Sequence, residues 1–170
     1  MDKIETAAQN PIFMFSGQGS QKSGMGEDIL GFSAARDVFT CASDTLCYDV
    51  IELIKTDDAE KLNETQNAQV VIATLSLALT QVLAGRGITP AATLGFSLGQ
   101  ITALPVAGML SLEQTFELIK VRSELMAEAS REYPGSMCAL LGADEESVLK
   151  LCEEQSQDEV LVPANYNSPG

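Results

Sequence analysis

The chain has 170 residues, 45% of them hydrophobic and 20% charged, so it carries enough apolar material for a sizeable core, and intrinsic disorder is excluded as its organising state. Ten basic residues against 24 acidic ones leave a formal charge of -14. That sign is wrong for a phosphate-binding footprint and excludes general nucleic-acid binding.

Residues 12–15 form a short apolar run that ends at Gly17-Gln18-Gly19-Ser20, which reads as a buried strand feeding a glycine-bearing loop. Apolar residues recur at helical spacing over 27–46 and again over 49–55, predicting helices there. Polar residues 56–67 lead into a long buried helix over 68–84, closed by Gly85-Arg86-Gly87 as a C-cap and turn. This helix is the most apolar window of the chain and matches the shortest membrane spans in length, yet Thr74, Ser76, Thr80 and Gln81 interrupt it. A core helix, with no membrane partner, is the expectation. Residues 92–96 read as a second buried strand, and the pattern turns helical at Ser97.

Ser111, with Gln114 three positions on, gives a capping-box pattern that opens a helix running to about 130. Tyr133-Pro134-Gly135 breaks the pattern and places an internal boundary. Beyond it come an apolar strand over 137–141, a helix starting near Asp144, and a strand over 160–162. The alternation predicts an α/β class with a largely parallel sheet, divided into a large unit over 1–132 and the start of a smaller one over 133–170. One helix and two strands bury too little surface to be stable alone. The second unit therefore reads as incomplete at its C-terminus, with self-association through it as an expectation.

Histidine is absent, which removes the usual zinc ligand and the usual general base near neutral pH. No metal site and no cofactor is predicted. Cys41, Cys47, Cys138 and Cys152 show no C-x-x-C spacing and read as reduced core thiols. The polar N-terminus, MDKIETAAQN, lacks the basic-then-apolar order of a signal peptide, so a cytoplasmic location is expected.

Gly95-Phe96-Ser97-Leu98-Gly99 matches G-x-S-x-G directly after an apolar strand and before a helix, the context in which a nucleophilic serine projects from a sharp turn. Ser97 is the candidate nucleophile, and the Leu98 amide, in the first turn of the helix, would face a developing oxyanion. The bland alternative is a turn serine capping the next helix. The Gln18 loop follows the first strand, and strand C-terminal ends in a parallel sheet share one edge, so an amide near Gln18 is the candidate second oxyanion donor. A flexible turn or a phosphate cradle are the alternatives there. The cradle lacks a Walker-spaced lysine and the third glycine of a dinucleotide loop. On a helical wheel, Leu118 and Met126 flank Arg122 at about 40° and Ile119 and Leu125 at about 60°, so Arg122 points from the apolar arc. A guanidinium there needs an anion, either a ligand carboxylate or an internal acid, unless it snorkels to water.

FSGQGSQ, GFSLGQ, VRSELM and NYNSPG occur in the order seen in malonyl-CoA:acyl carrier protein transacylases and the related acyltransferase domains of fatty acid and polyketide synthases, and on these motifs the chain resembles that family. The resemblance implies a hydrolase-like parallel-sheet large subdomain plus the beginning of a ferredoxin-like small subdomain, with the chain matching the first half to three-fifths of the family's domain. It implies transfer of malonyl from malonyl-CoA, a coenzyme A thioester, to acyl carrier protein through an acyl-serine on Ser97. Gln18 and Leu98 then correspond to the oxyanion hole, Arg122 to the arginine that holds the malonyl carboxylate, and Asn165 to an asparagine near the site.

The family's histidine base has no counterpart within the 170 residues, and Phe96, Gln100 and Ile101 stand where the family usually has His, Glu and Tyr. Ser16 and Ser123 replace a usual proline and glycine. The isolated chain is therefore expected to transfer acyl groups weakly or not at all, and its charge opposes encounter with anionic partners. Arg86, Lys120, Arg122 and Arg131 are the candidate basic contacts. A serine hydrolase or thioesterase, and a non-catalytic acyl-binding module, are the competing readings.

Overall fold

A computed structural model describes residues 11–157 and 159–167, which fall into two compact units, Met1–Tyr133 and Pro134–Gly170. In the first unit, strands β1 (Ile12–Phe15) and β2 (Ala92–Gly95) pair in parallel, with Phe15 opposite Gly95 and Met14 opposite Leu94. The class is mixed α/β, as the alternation predicts. Side chains alternate across a pleated strand, so each strand presents two faces. Phe15 is buried, whereas Ile12, Met14 and Leu94 on the other face are 54–79% exposed. The expectation of fully buried strands is thereby corrected: only one face of this two-stranded ladder is covered.

Between the strands the chain runs through α1 (Ser33–Leu46), α2 (Val50–Ile54), α3 (Ala59–Asn63) and α4 (Thr65–Ala84), and after β2 come α5 (Leu98–Val106) and α6 (Leu112–Glu132). The expected helix over 27–46 divides into a 3-10 turn, Glu27–Gly31, and α1. Gly31 has poor helix propensity, Phe32 between them is extended, and the Arg36 guanidinium donates to the Leu30 carbonyl across the break. Within the expected polar stretch, Asp58 accepts from the Lys61 amide and caps α3, a helix the periodicity does not reveal. Gly85 keeps right-handed helical dihedrals, and the left-handed position falls on Gly87, with Ile88 N–H donating to the Leu83 carbonyl in a Schellman closure.

The core forms where α1, α4 and α6 pack on one another, around Val38, Phe39, Val70, Val71, Leu77, Phe116 and Ile119. α4 is long and apolar enough to cross a membrane. Here it is the central core helix, apolar around most of its circumference because α1, α5 and α6 pack against it. The cysteines are free, but Cys47 and Cys138 are exposed and only Cys41 and Cys152 are half-buried, which corrects the core-thiol expectation. Cys47 closes α1 in a left-handed conformation, at the surface end of the helix.

The second unit contains α7 (Glu145–Gln155), capped by the Asp144 carboxylate on the Ser147 amide. The strands expected over 137–141 and 160–162 are not formed among the described residues. Met137, Leu141 and Val160 are 78–91% exposed. A strand exists only through its ladder, and an apolar run with no paired neighbour stays irregular whatever its composition.

Candidate active site

The turn from β2 into α5 is made by the G-x-S-x-G segment. Ser97 stands at φ +51°, ψ -111°, a conformation that side chains rarely adopt. Both glycines are required by contact: a Cβ at Gly95 would overlap the backbone of Gly99 and Gln100, and one at Gly99 would overlap the Phe15 carbonyl. Gly99 N–H donates to the Phe96 carbonyl and Gln100 N–H to the Ser97 carbonyl, which closes the turn. Ser97 occupies the N-cap position but makes no side-chain cap hydrogen bond, so the capping alternative does not hold. Leu98 begins α5, where helical geometry supplies no acceptor for its N–H, and the residue is fully buried.

The Ser97 hydroxyl instead accepts a 3.0 Å hydrogen bond from Arg122 Nη2. Arg122 Nη1 donates to Gln69 Oε1, Gln69 Nε2 donates to Thr65 Oγ1 at 3.0 Å, and the Thr65 hydroxyl donates to Gln18 Oε1 at 2.9 Å. Five side chains from the β1 loop, α4, α5's turn and α6 thus form one continuous polar chain. The Gln18 loop also touches the serine turn directly, since a Cβ on Gly17 would lie 3.1 Å from the Phe96 ring and 3.5 Å from Ser97 Cβ. Phe96 itself is 58% exposed beside the nucleophile.

Arg122 is half-buried, and among the described residues no Asp or Glu pairs with it. Among the described residues Arg122 meets a glutamine and a serine in place of an internal acid. Its placement differs from the wheel expectation. The buried stripe of α6 is Thr115, Phe116, Ile119 and Ser123, while Leu118 and Leu125 are exposed, so Arg122 lies at the border of the buried face. The wheel finds the apolar arc but not which part of it is covered. Ser123, where a glycine is usual, is accommodated by donating to the Lys120 carbonyl.

Thr65 and Gln69 are absent from the residues that motif reading selects. The available signal was a glutamine one turn after a threonine, at the entrance to the most apolar helix, where burial was to be expected. A buried amide must satisfy both ends, which makes such a residue a pointer to a polar partner. Asn165 lies in an exposed irregular segment of the second unit. The last three residues of its motif, 168–170, are outside the described residues. Two open depressions along α1, one lined by Asp37, Cys41, Asp44 and Glu113 and the other by Ser43, Cys47, Tyr48 and Asp49, include none of the five linked side chains.

Residues 12–170 match the model of the acyl transferase domain. The chain belongs to this family. It is 39% identical over 159 residues to malonyl CoA-acyl carrier protein transacylase of Staphylococcus aureus (strain COL), covering 92% of this chain and 51% of the relative. Among solved structures, malonyl CoA-acyl carrier protein transacylase from Clostridium perfringens superimposes with a TM-score of 0.84 at 35% identity, over 95% of this chain and 51% of that one. A malonyl-transacylase in complex with its type II PKS acyl-carrier protein gives 0.82 at 35% identity, over 95% and 53%. This acyltransferase-family chain spans about half the length of the relatives it matches.

Proposed function

We propose that this chain carries the nucleophile and the carboxylate-binding half of a malonyl transfer site. Ser97 Oγ attacks the thioester carbonyl of malonyl-CoA to give a tetrahedral oxyanion, which collapses with loss of the C–S bond, and coenzyme A leaves as the thiol, taking up the proton given up by Ser97. The acyl-serine then passes malonyl to the phosphopantetheine thiol of an acyl carrier protein. The single observation that carries this reading is the hydrogen bond between Arg122 and Ser97, which sets a cation with no acidic partner among the described residues directly at the candidate nucleophile.

An uncompensated guanidinium of this kind favours an acyl group that ends in a carboxylate, and disfavours a simple serine hydrolase. Arg122 exchanges its bond to Ser97 for the malonyl carboxylate while Nη1 stays on Gln69. The backbone amides of Gln18 and Leu98 serve the oxyanion, which requires the buried Leu98 amide to be uncovered when Arg122 releases Ser97. Asn165 is assigned to the same site by resemblance alone. No cofactor enters this scheme. We also read 1–132 as the large subdomain and 133–170 as the start of a ferredoxin-like small one, and the setting as cytoplasmic.

None of Arg122, Gln69, Thr65 or Gln18 can take the serine proton at neutral pH. Acylation by this chain alone is therefore slow, and a base from outside its 170 residues is needed for speed. Mass spectrometry after incubation with malonyl-CoA tests the scheme. A malonyl adduct should form slowly on Ser97, accelerate with added imidazole, and vanish in Ser97→Ala. Arg122→Gln should abolish the preference for malonyl-CoA over acetyl-CoA. Prompt release of free malonate would instead establish a hydrolase. No adduct even with imidazole would leave a non-catalytic acyl-binding module.

A further inference from the structure

The polar chain that ends on Ser97 has its direction fixed from Arg122 as far as Thr65. A guanidinium has donors and no acceptor, so Gln69 must present Oε1 to Arg122. The opposite end of that carboxamide is then its NH2, which donates to Thr65 Oγ1. The Thr65 hydroxyl, with one lone pair engaged by Gln69, donates its proton to Gln18 Oε1. The charge at the far end dictates the orientation of Gln69 and, through it, that Thr65 accepts from Gln69. Gln69 is fully buried, so a break at Thr65 would leave its NH2 with the Met126 sulfur at 3.4 Å, a weak acceptor, in place of a hydroxyl.

We propose that Thr65 is a positioning residue that couples the Gln18 loop to Arg122, so that the loop is held against the serine turn by the same arginine that meets the nucleophile. This rests on the acyl-transfer reading for its catalytic consequence, but the coupling itself is geometric. Thr65 opens α4, one turn before Gln69, and therefore faces both Gln69 and the loop. A second tether holds the loop further along: Gly19 N–H donates to Gln21 Oε1, and Gln21 Nε2 donates to Asn63 Oδ1 at 2.7 Å. That tether leads to α3 and away from the arginine. Among the described residues Thr65 alone joins the loop's side chains to the Gln69–Arg122–Ser97 series.

Thr65→Val keeps the shape and removes the hydroxyl, and Thr65→Ser keeps the hydroxyl. In single-turnover acylation of the full chain by malonyl-CoA, Thr65→Val should lower the rate at saturating donor about tenfold while the half-saturating concentration stays within about twofold, because the loop serves the transition state more than the bound thioester. Thr65→Ser should recover most of that rate. Hydrogen exchange at the Gln18 amide should be about tenfold faster in Thr65→Val and unchanged in Thr65→Ser. A Thr65→Val chain with parental acylation, or a Thr65→Ser chain as slow as Thr65→Val, overturns the proposal. Should the parental chain form no adduct, the acyl-transfer reading fails by itself, and the exchange rates still decide: parental protection of the loop in Thr65→Val overturns the coupling, and selective loss of it upholds the coupling.

Discussion

Ser97 holds a positive φ with a full side chain, and such a conformation persists only where its surroundings over-determine it. Gly95 and Gly99 provide that over-determination, because each lets one backbone segment lie directly on another. Gly99→Ala should therefore cost about 3 kcal/mol or more, since the new methyl meets the Phe15 carbonyl, an atom fixed by the β1–β2 ladder. The measurement is the urea midpoint of the purified variant against the parent chain. The G-x-S-x-G spacing displays this requirement openly in the sequence. The partner of Arg122 is not displayed, because Gln69 is 53 positions away and becomes a neighbour only when α4 and α6 pack together.

At the scale of elements, caps are written in local chemistry and hold where the periodicity is ambiguous. The Ser111–Gln114 capping box is formed with both reciprocal bonds. Asp144 caps α7, and its hydrogen bonds from Ser147 hold its carboxyl below the ordinary value of 3.8. A depressed folded-state value means that the ionised form stabilises the helix. That contribution is complete above the ordinary value and is lost as pH falls through the lower folded one. Helical circular dichroism should accordingly show an acid-induced loss that Asp144→Asn flattens. An equal acid loss in that variant would assign the transition to other carboxylates. The two runs over 137–141 and 160–162 show the opposite case, in which composition favours a strand and the absence of a paired neighbour among the described residues leaves it unmade.

For the whole molecule, a charge of -14 surrounds a site whose proposed partners are themselves anionic. Few cations offset it. Arg86 lies over the Phe32 ring at 5.1 Å, and Arg122 is engaged with Ser97 and Gln69. Lys120 and Arg131 are exposed on α6, where the proposed acidic carrier protein would meet them. Encounter between like charges speeds up when salt screens them. The association rate of this chain with an acidic carrier protein, followed by stopped flow, should thus rise between low and physiological ionic strength. A falling rate would show that a local basic surface outweighs the total charge. The exposed apolar runs of the second unit add the expectation of self-association, readable as a concentration-dependent mass in sedimentation.

The sequence by itself determined the α/β alternation and the place of the serine turn, and it singled out Arg122 as a candidate, because each rests on patterns within single elements or turns. A turn that admits only glycine on both sides of a serine, and a cation set beside an apolar helical stripe, are legible in local spacing. Tertiary structure alone decided that Arg122 reaches Ser97, that Gln69 and Thr65 carry the link to Gln18, and that one strand face and two apolar runs stay uncovered. Hydrogen-bond partners and ladder neighbours are set by which distant segments pack together, and no local pattern of side chains encodes that choice.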